Sequence, residues 1–438
     1  MTVTARRLLE PALIVALTVV GSFVTWFRVP ADHRDRVWAE DANIFLEEAL
    51  VRGPWSVLFE GYAGYQHFVP RVVMAGVLPV LDLAHYPVVI FAICSVLTGL
   101  TAAGVFWLSR DLVPSVTARV ALAAITFLIP LATQETIGNL ADLHSYAMWL
   151  APWLLLYRPR SWWTSAGWAL VTFAVVMTEI QAVFFVFLLF FRLRPRDRHV
   201  WPVAAAFLVA SVVQVITAAT GGRDTSNGPL SIPSTVAGWI INAVMPLVSA
   251  HPETIVAWVT TSGLLVGIAI LVPIAAAGVY VLIRGNTDQR VLAIALALGS
   301  AAVYTGSAWA NSGPWFAYAE AGFGDMTGLA VNIRYGVASG MMLAALIPLA
   351  LSVFVSRSRG GVVVGSLGVV LNAGLVAVLA IGMTTAVSSR GWVDRWEPAV
   401  NDAVEACLAT PGLDEATLPV APDRSVDVSC DDLVSRRG

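Results

Sequence analysis

The chain has 438 residues, of which 58% are hydrophobic and only 13% charged, and its formal net charge is −3 at pH 7. Soluble domains carry about 25% charged residues, so this composition predicts an all-α polytopic membrane protein that lies in a lipid bilayer. The apolar segments are long and continuous, which excludes the short alternating strands of a membrane β-barrel. The sequence has no basic tract of the kind that binds nucleic acid, so no nucleic-acid partner is expected.

All 26 basic residues are arginine. A P-loop ATPase needs the lysine of its phosphate-binding loop, and a pyridoxal enzyme needs a lysine for its Schiff base. We therefore expect neither ATP-driven transport by this chain alone nor a bound cofactor. No Cys/His spacing resembles a zinc site, so no metal ligands are predicted, although the sequence leaves a divalent cation open.

The apolar segments predict about eleven transmembrane helices, since a spanning helix needs about 20 apolar residues. Between residues 162 and 192, the polar residues MTEIQ indicate two short helices that meet at a turn. Residues 70–84 are expected to lie at the membrane interface, because Pro79 and Asp82 interrupt them. The predicted spans are 9–28, 86–108, 117–133, 143–157, 162–177, 179–192, 200–219, 258–284, 289–309, 335–356 and 361–386.

The arginine-rich short loops fall on one side of this arrangement, and the positive-inside rule makes that side cytoplasmic. The N-terminus has an arginine pair followed by an apolar run without a small-residue cleavage site, which predicts an uncleaved signal anchor in the plasma membrane. The N-terminus is then cytoplasmic and the C-terminus extracytoplasmic. The sequence divides into a transmembrane domain (1–387), with a first outer loop (29–85), and a small extracytoplasmic tail (388–438).

The tail combines one helix with two short extended runs. Trp392, Trp396, Val400, Val404 and Cys407 recur at helical spacing and form one apolar stripe. Cys407 and Cys430 suggest a disulfide if the tail faces an oxidising compartment, and two unpaired thiols are the alternative.

The first outer loop contains the adjacent acids Glu40 and Asp41, at the start of an amphipathic segment. Carboxylates are costly in lipid, so a pair at the membrane edge suggests a general base in a partly dry cleft. For Asp41 the structural alternative is a helix N-cap.

The segment GYAGYQHFVPR follows in the same loop and carries Tyr65, His67 and Arg71. Aromatic rings beside a histidine and an arginine suit the binding of a sugar and a phosphate. For Tyr65 and the neighbouring Tyr62 an aromatic belt at the membrane interface explains the pattern equally well.

Four further candidates lie near the predicted outer edge. Glu135 and His144 suggest a hydrogen-bonding rim for substrate, or merely a solvated loop. Glu179, between two apolar runs, is either functional or part of a satisfied turn. Arg334, next to Tyr335, is a candidate phosphate ligand because its guanidinium binds phosphate oxygens in a fork; a snorkelling arginine is the alternative.

An acidic pair in the loop after the first span, interfacial helices behind it and a late arginine at the outer edge resemble the GT-C superfamily. These integral membrane glycosyltransferases use polyprenyl-phosphate-linked sugars. Glu40–Asp41 matches the acidic motif of the family by position, and Arg334 loosely matches a donor-phosphate role. The tail is similar to that of actinobacterial members, whereas the lack of a large C-terminal domain departs from the oligosaccharyltransferase and arabinosyltransferase types.

The resemblance implies sugar transfer from a polyprenyl-phosphate donor to a cell-envelope glycan, lipid or protein on the outer face. Asp41 or Glu40 would accept the proton of the acceptor hydroxyl, while Arg334, with Arg71 or His67, would stabilise the leaving phosphate. Direct displacement would invert the anomeric carbon. A transporter or flippase for a lipid-linked sugar is the main alternative, and a non-catalytic membrane scaffold is the second.

Overall fold

The computed structural model describes residues 3–193, 197–221, 231–320, 333–358, 361–384 and 387–437. The chain is mainly helical, and the strands that it contains form two small antiparallel hairpins. The helices are α1 (Val3–Phe27), α2 (Ala31–Arg34), α3 (Glu47–Arg52), α4 (Phe68–Val77), α5 (Tyr86–Leu108), α6 (Val116–Leu128), α7 (Leu143–Leu156), α8 (Trp162–Val176), α9 (Leu188–Arg192), α10 (Trp201–Thr220), α11 (Ile232–Trp239), α12 (Pro252–Ser262), α13 (Leu265–Arg284), α14 (Thr287–Ala310), α15 (Val337–Arg357), α16 (Gly361–Thr384), α17 (Trp396–Ala409) and α18 (Cys430–Ser435). The strands are β1 (Gly61–Tyr62), β2 (Tyr65–Gln66), β3 (Glu415–Val420) and β4 (Arg424–Ser429).

Within the described part of the chain, eight helices are long and apolar enough to cross a membrane. The all-α membrane architecture is therefore confirmed, whereas the predicted number of about eleven spans is not. The difference lies in short apolar helices. α7 has 14 residues and α8 has 15, which is less than the bilayer thickness requires of a single straight helix.

The two regions where polar residues interrupt the apolar pattern do break the helices. α8 ends at Val176, and a turn at Thr178–Glu179 precedes a 3₁₀ segment, Ile180–Phe185, and then α9. Residues 68–85 form α4 followed by two 3₁₀ turns, with Asp82 accepting the backbone N–H of Ala84. Each break follows from a side chain that satisfies backbone N–H groups outside the helix.

Several helices begin where the sequence supplies a capping side chain. Ser115 caps α6 by accepting the N–H of Ala118. Ser161 with Thr164, and Asn286 with Gln289, form reciprocal capping boxes at the starts of α8 and α14. These caps fix the chain where it re-enters the apolar bundle.

Polar contacts divide the bundle into two ends. One end, which we call the arginine end, holds the pairs Arg119–Glu10, Arg160–Asp111 and Arg158–Asp288. The opposite end, which we call the site end, contains the first outer loop, the 129–142 loop and the tail. α5 and α6 each run from one end to the other, so the two ends are separated by the apolar core.

The tail is not a separate appendage to the helices. β3 and β4 pair in register from Glu415 opposite Ser429 to Val420 opposite Arg424, and a disulfide joins Cys407 to Cys430. In the turn of this hairpin, Ala421 exchanges backbone hydrogen bonds with Val37 and Ala39 of the first outer loop. Trp396, Val400 and Val404 of the predicted stripe are buried in the same core as the membrane helices. Trp392 lies before α17 and is 81% exposed, so its predicted place in the stripe is wrong.

We predict that Trp396→Ala destabilises the protein by about 3–5 kcal/mol, as expected for a fully buried tryptophan. The Trp396 side chain is fully buried beside Tyr86, and its indole N–H donates to the carbonyl of Leu83 at 2.7 Å. Thermal unfolding of the purified protein measures the effect. Trp392→Ala is the matched control, because Trp392 is 81% exposed; equal losses in the two variants would show that the tail does not pack as described.

Candidate functional site

The Asp41 carboxylate connects two loops at the site end. One of its oxygens accepts the backbone N–H of Leu140 at 3.0 Å, and the other accepts that of Ala141 at 3.1 Å. The hydroxyl of Tyr86 donates to the Asp41 carbonyl at 2.6 Å. The helical segment that begins at Asp41 receives no side-chain cap, so the N-cap interpretation of Asp41 is wrong.

Glu40 differs from its neighbour in both exposure and bonding. Asp41 is 2% exposed, whereas Glu40 is partly exposed. The Glu40 carboxylate forms no hydrogen bond or ion pair with the side chains and backbone groups that the structure describes. Of the two adjacent acids, Glu40 is thus the one whose oxygens are open to a ligand.

Glu135 and Arg334 form an ion pair beside these acids. One guanidinium nitrogen of Arg334 donates to a Glu135 carboxylate oxygen, and the indole of Trp38 donates to the same oxygen at 2.9 Å. A second guanidinium nitrogen donates to the Tyr335 hydroxyl at 2.8 Å. The Arg334 side chain remains 35% exposed although Glu135 is only 10% exposed, so the guanidinium forms the accessible edge of the pair.

His144 lies between two buried carboxylates. Its two ring nitrogens are 3.8 Å from an oxygen of Asp142 and 4.0 Å from an oxygen of Glu179. Asn139 donates to the other Asp142 oxygen at 3.0 Å, and Glu179 accepts the N–H of Gln181 at 2.8 Å. The imidazole is 23% exposed, so a group that can donate and accept hydrogen bonds lies at the surface of the cluster.

Burial changes the proton affinity of the acids at this end. It raises the pKa of Asp41 to about 7, against the opposing effect of the hydrogen bond from Leu140. Burial also raises the pKa values of Glu135 and Asp142, in each case against the charge of Arg334. The charge of Glu40 adds to the increase at all three carboxyls, which shows that these four acids share one electrostatic environment.

Tyr65, His67 and Arg71 form a second group in the first outer loop. Arg71 is 1% exposed and pairs with Glu48 at 2.8 Å, and its Nε–H donates to the Glu60 carbonyl at 2.8 Å. The His67 ring lies 4.2 Å from the ring of Tyr65. The charge of Arg71 is thus balanced within this loop, and its predicted phosphate contact stays a prediction.

Two residues at the site end, Arg390 and Trp38, were not predicted from the sequence. Arg390 of the tail is buried and donates to the carbonyl of Ile137 at 3.1 Å and to that of Arg36 at 3.3 Å. The indole N–H of Trp38 donates a hydrogen bond to Glu135. Trp38 could have been found from its position two residues before Glu40. Nothing in the local sequence pattern indicates that the Arg390 side chain is buried.

The chain matches no protein-family model, no curated protein and no solved structure. The GT-C resemblance therefore stays a prediction from the sequence. Among the residues that the structure describes, no group of three or more His, Cys, Asp or Glu side chains is arranged to hold a metal ion.

We predict that stability falls as the pH rises from 4 to 7, and that Asp41→Asn reduces this fall. A carboxyl whose pKa is raised from 3.8 to about 7 on folding binds a proton more tightly in the folded state, so its stabilising effect is complete below pH 4 and is lost as the pH passes 7. The expected loss from Asp41 is about 4 kcal/mol.

Thermal unfolding between pH 4 and pH 8 measures this dependence. Glu47→Gln is the control, because it is an acid-to-amide change at an exposed position in the same loop. A profile of Asp41→Asn that is parallel to that of the wild type would contradict the assignment.

Proposed function

We propose that this chain is a membrane glycosyltransferase of GT-C type, which transfers a sugar from a polyprenyl-phosphate donor to a cell-envelope acceptor. The observation that supports this best is the arrangement of Glu40 and Arg334 at the site end. Glu40 follows Trp38 by two residues, and the Trp38 indole shares one Glu135 oxygen with Arg334. The charges of Glu40 and Arg334 both act on the pKa of the buried Glu135, so an accessible carboxylate and an accessible guanidinium lie near the same buried acid.

The Glu40 carboxylate and the Arg334 guanidinium match the two charges that develop during transfer: the proton that leaves the acceptor hydroxyl and the negative charge on the departing phosphate. The carboxylate of Glu40 accepts the proton of an acceptor hydroxyl while the hydroxyl oxygen bonds to the anomeric carbon. The bond from that carbon to the donor phosphate oxygen breaks, and the electron pair leaves with the phosphate. Arg334 stabilises the charge on the departing phosphate, because a guanidinium binds phosphate oxygens through its fork of N–H donors. Attack opposite the leaving group inverts the anomeric carbon.

Asp41 has a positioning role in this proposal. Its oxygens already accept two backbone N–H groups, so they are poorly placed to approach a hydroxyl. By joining the first outer loop to Leu140 and Ala141, the Asp41 carboxylate holds Glu40 beside the Glu135–Arg334 pair. The geometry thus favours Glu40 over Asp41 as the base.

His144 and its neighbours complete the proposed site. The imidazole, with Asp142 and Glu179 next to it, can donate and accept hydrogen bonds at the hydroxyls of a sugar. The lipid chain of the donor would lie against the apolar helices. In this arrangement the site end faces the outside of the plasma membrane, the N-terminus lies in the cytoplasm and the C-terminus is extracytoplasmic.

We predict that Glu40→Gln lowers the rate of sugar transfer by at least about 100-fold, since removal of a general base costs this much or more. The measurement uses protein reconstituted in vesicles with polyprenyl-phosphate sugars and envelope acceptors. Glu47→Gln is the matched control: the same chemical change in the same loop, at an exposed position, should leave the rate unaltered.

The outcomes separate the competing functions. Loss of transfer in Glu40→Gln with normal folding supports Glu40 as base, whereas loss in Asp41→Asn alone would assign the base to Asp41. If wild-type protein moves a lipid-linked sugar across the vesicle membrane without forming a new glycosidic bond, the chain is a transporter and the proposal fails.

We predict that Arg334→Gln impairs both folding and transfer, and that a second change separates the two effects. Arg334→Gln leaves Glu135 as a buried acid without its cation, which costs about 3–5 kcal/mol. In the double variant Glu135→Gln/Arg334→Gln this unpaired charge is absent, so we expect the melting temperature to recover. Transfer should still be reduced at least about 100-fold, because the donor phosphate has lost its cation. Recovery of activity together with stability would limit Arg334 to a structural role.

A further inference from the structure

A polar cavity of about 490 Å³ opens at the arginine end, far from the candidate functional site. Its lining comes from the start of α1, the connection between α5 and α6, the first turn of α6, and the loop after α7. The lining residues are Glu10, Arg110, Asp111, Pro114, Arg119 and Arg160. Three arginines face two acids here, so the cavity has an excess of one positive charge.

Arg119 is the most buried of the three arginines, with its side chain 3% exposed. One of its guanidinium nitrogens pairs with Glu10 at 2.9 Å. Its Nε and its other terminal nitrogen have no hydrogen-bond partner among the described residues. Buried N–H groups without partners are costly, and a small shift of this guanidinium toward an anion in the cavity gives them an acceptor.

Arg110 supplies the positive charge that no acid balances. Its guanidinium lies 3.9 Å above the ring of Trp107 and donates to the Tyr157 hydroxyl at 2.7 Å, and both of these partners are uncharged. Its Nε is buried and has no hydrogen-bond partner in the described part of the chain. Arg160, by contrast, is exposed and pairs with Asp111 at 2.8 Å.

The cavity lies where three helices that can cross a membrane begin or end. Glu10 is at the start of the candidate span Leu9–Phe27, Arg110 is at the end of Leu83–Asp111, and Arg119 is in the first turn of Val116–Thr133. Helix ends of this kind lie at the level of lipid headgroups, and basic pockets between such helices bind anionic headgroups.

We propose that this cavity binds a phosphate group through Arg110 and Arg119, and that the phosphate belongs to an anionic membrane lipid. The two guanidinium groups present planar N–H donors of the kind that match phosphate oxygens. A soluble phosphate offers the same chemistry, so the experiment compares the two sources.

The experiment places the full chain in nanodiscs of equal phosphatidylglycerol and phosphatidylcholine and counts the retained lipids by native mass spectrometry. We expect the wild type to retain phosphatidylglycerol preferentially, and Arg110→Gln to weaken this retention at least about tenfold, because a hydrogen bond to a charged group is lost. Arg290→Gln is the matched control: Arg290 is an exposed arginine at the same end and does not line the cavity.

A second variant tests Arg119 without leaving an unpaired acid. Glu10→Gln/Arg119→Gln keeps the net charge of the cavity but removes the partnerless N–H groups, so phosphatidylglycerol retention should fall as in Arg110→Gln. Inorganic phosphate is also tested in neutral detergent. If it stabilises the wild type but not Arg110→Gln, the cavity is a phosphate site and its ligand is the soluble anion. Equal retention of the two lipids with no effect of inorganic phosphate, or equal losses in Arg110→Gln and Arg290→Gln, would overturn the proposal.

Discussion

The buried carboxylate of Asp41 is the interaction on which the site end depends. It accepts the N–H groups of Leu140 and Ala141, and this contact fixes the first outer loop against the 129–142 loop. A hydrogen bond to a charged group contributes about 1.5–3 kcal/mol, but burial opposes the charge and raises the pKa of Asp41 to about 7. The hydrogen bonds and the burial thus act in opposite directions on the pKa of Asp41.

The tail holds the same two loops from a third side. The N–H of Ser389 donates to the carbonyl of Gln134, Arg390 donates to Ile137 and Arg36, and Ala421 pairs with the backbone around Trp38. A tail that bonds both loops cannot be separated from the site that they form. Its disulfide joins the helix of the tail to the end of its hairpin, so the covalent link stabilises the element that covers the site end.

The helical membrane architecture, the break at Glu179 and the helix and hairpin of the tail were predictable from sequence, because each depends on local hydropathy or spacing. The acids and arginines of the site end were also identifiable, since ionisable groups beside apolar runs are conspicuous. Their pairing was not. The contacts of Arg334 with Glu135, and of Arg390 with Ile137, join residues 199 and 253 positions apart, and no periodic pattern encodes such distances. The assignment of roles within Glu40–Asp41 likewise needed the burial of each side chain.

All the basic residues of this chain are arginine, and these arginines occur in two kinds of environment. Arg71 pairs with Glu48 and is 1% exposed, so its charge is balanced within the protein. Arg334 and Arg110 are different: Arg334 pairs with Glu135 and still has 35% of its side chain exposed, and the partners of Arg110 among the described residues, Trp107 and Tyr157, are uncharged. A lysine has a single ammonium group, whereas an arginine that contacts a protein oxygen on one edge retains N–H donors on another. An arginine can therefore be anchored within the fold and still offer N–H donors to an anion, and the proposals for Arg334 and for Arg110 both depend on this property.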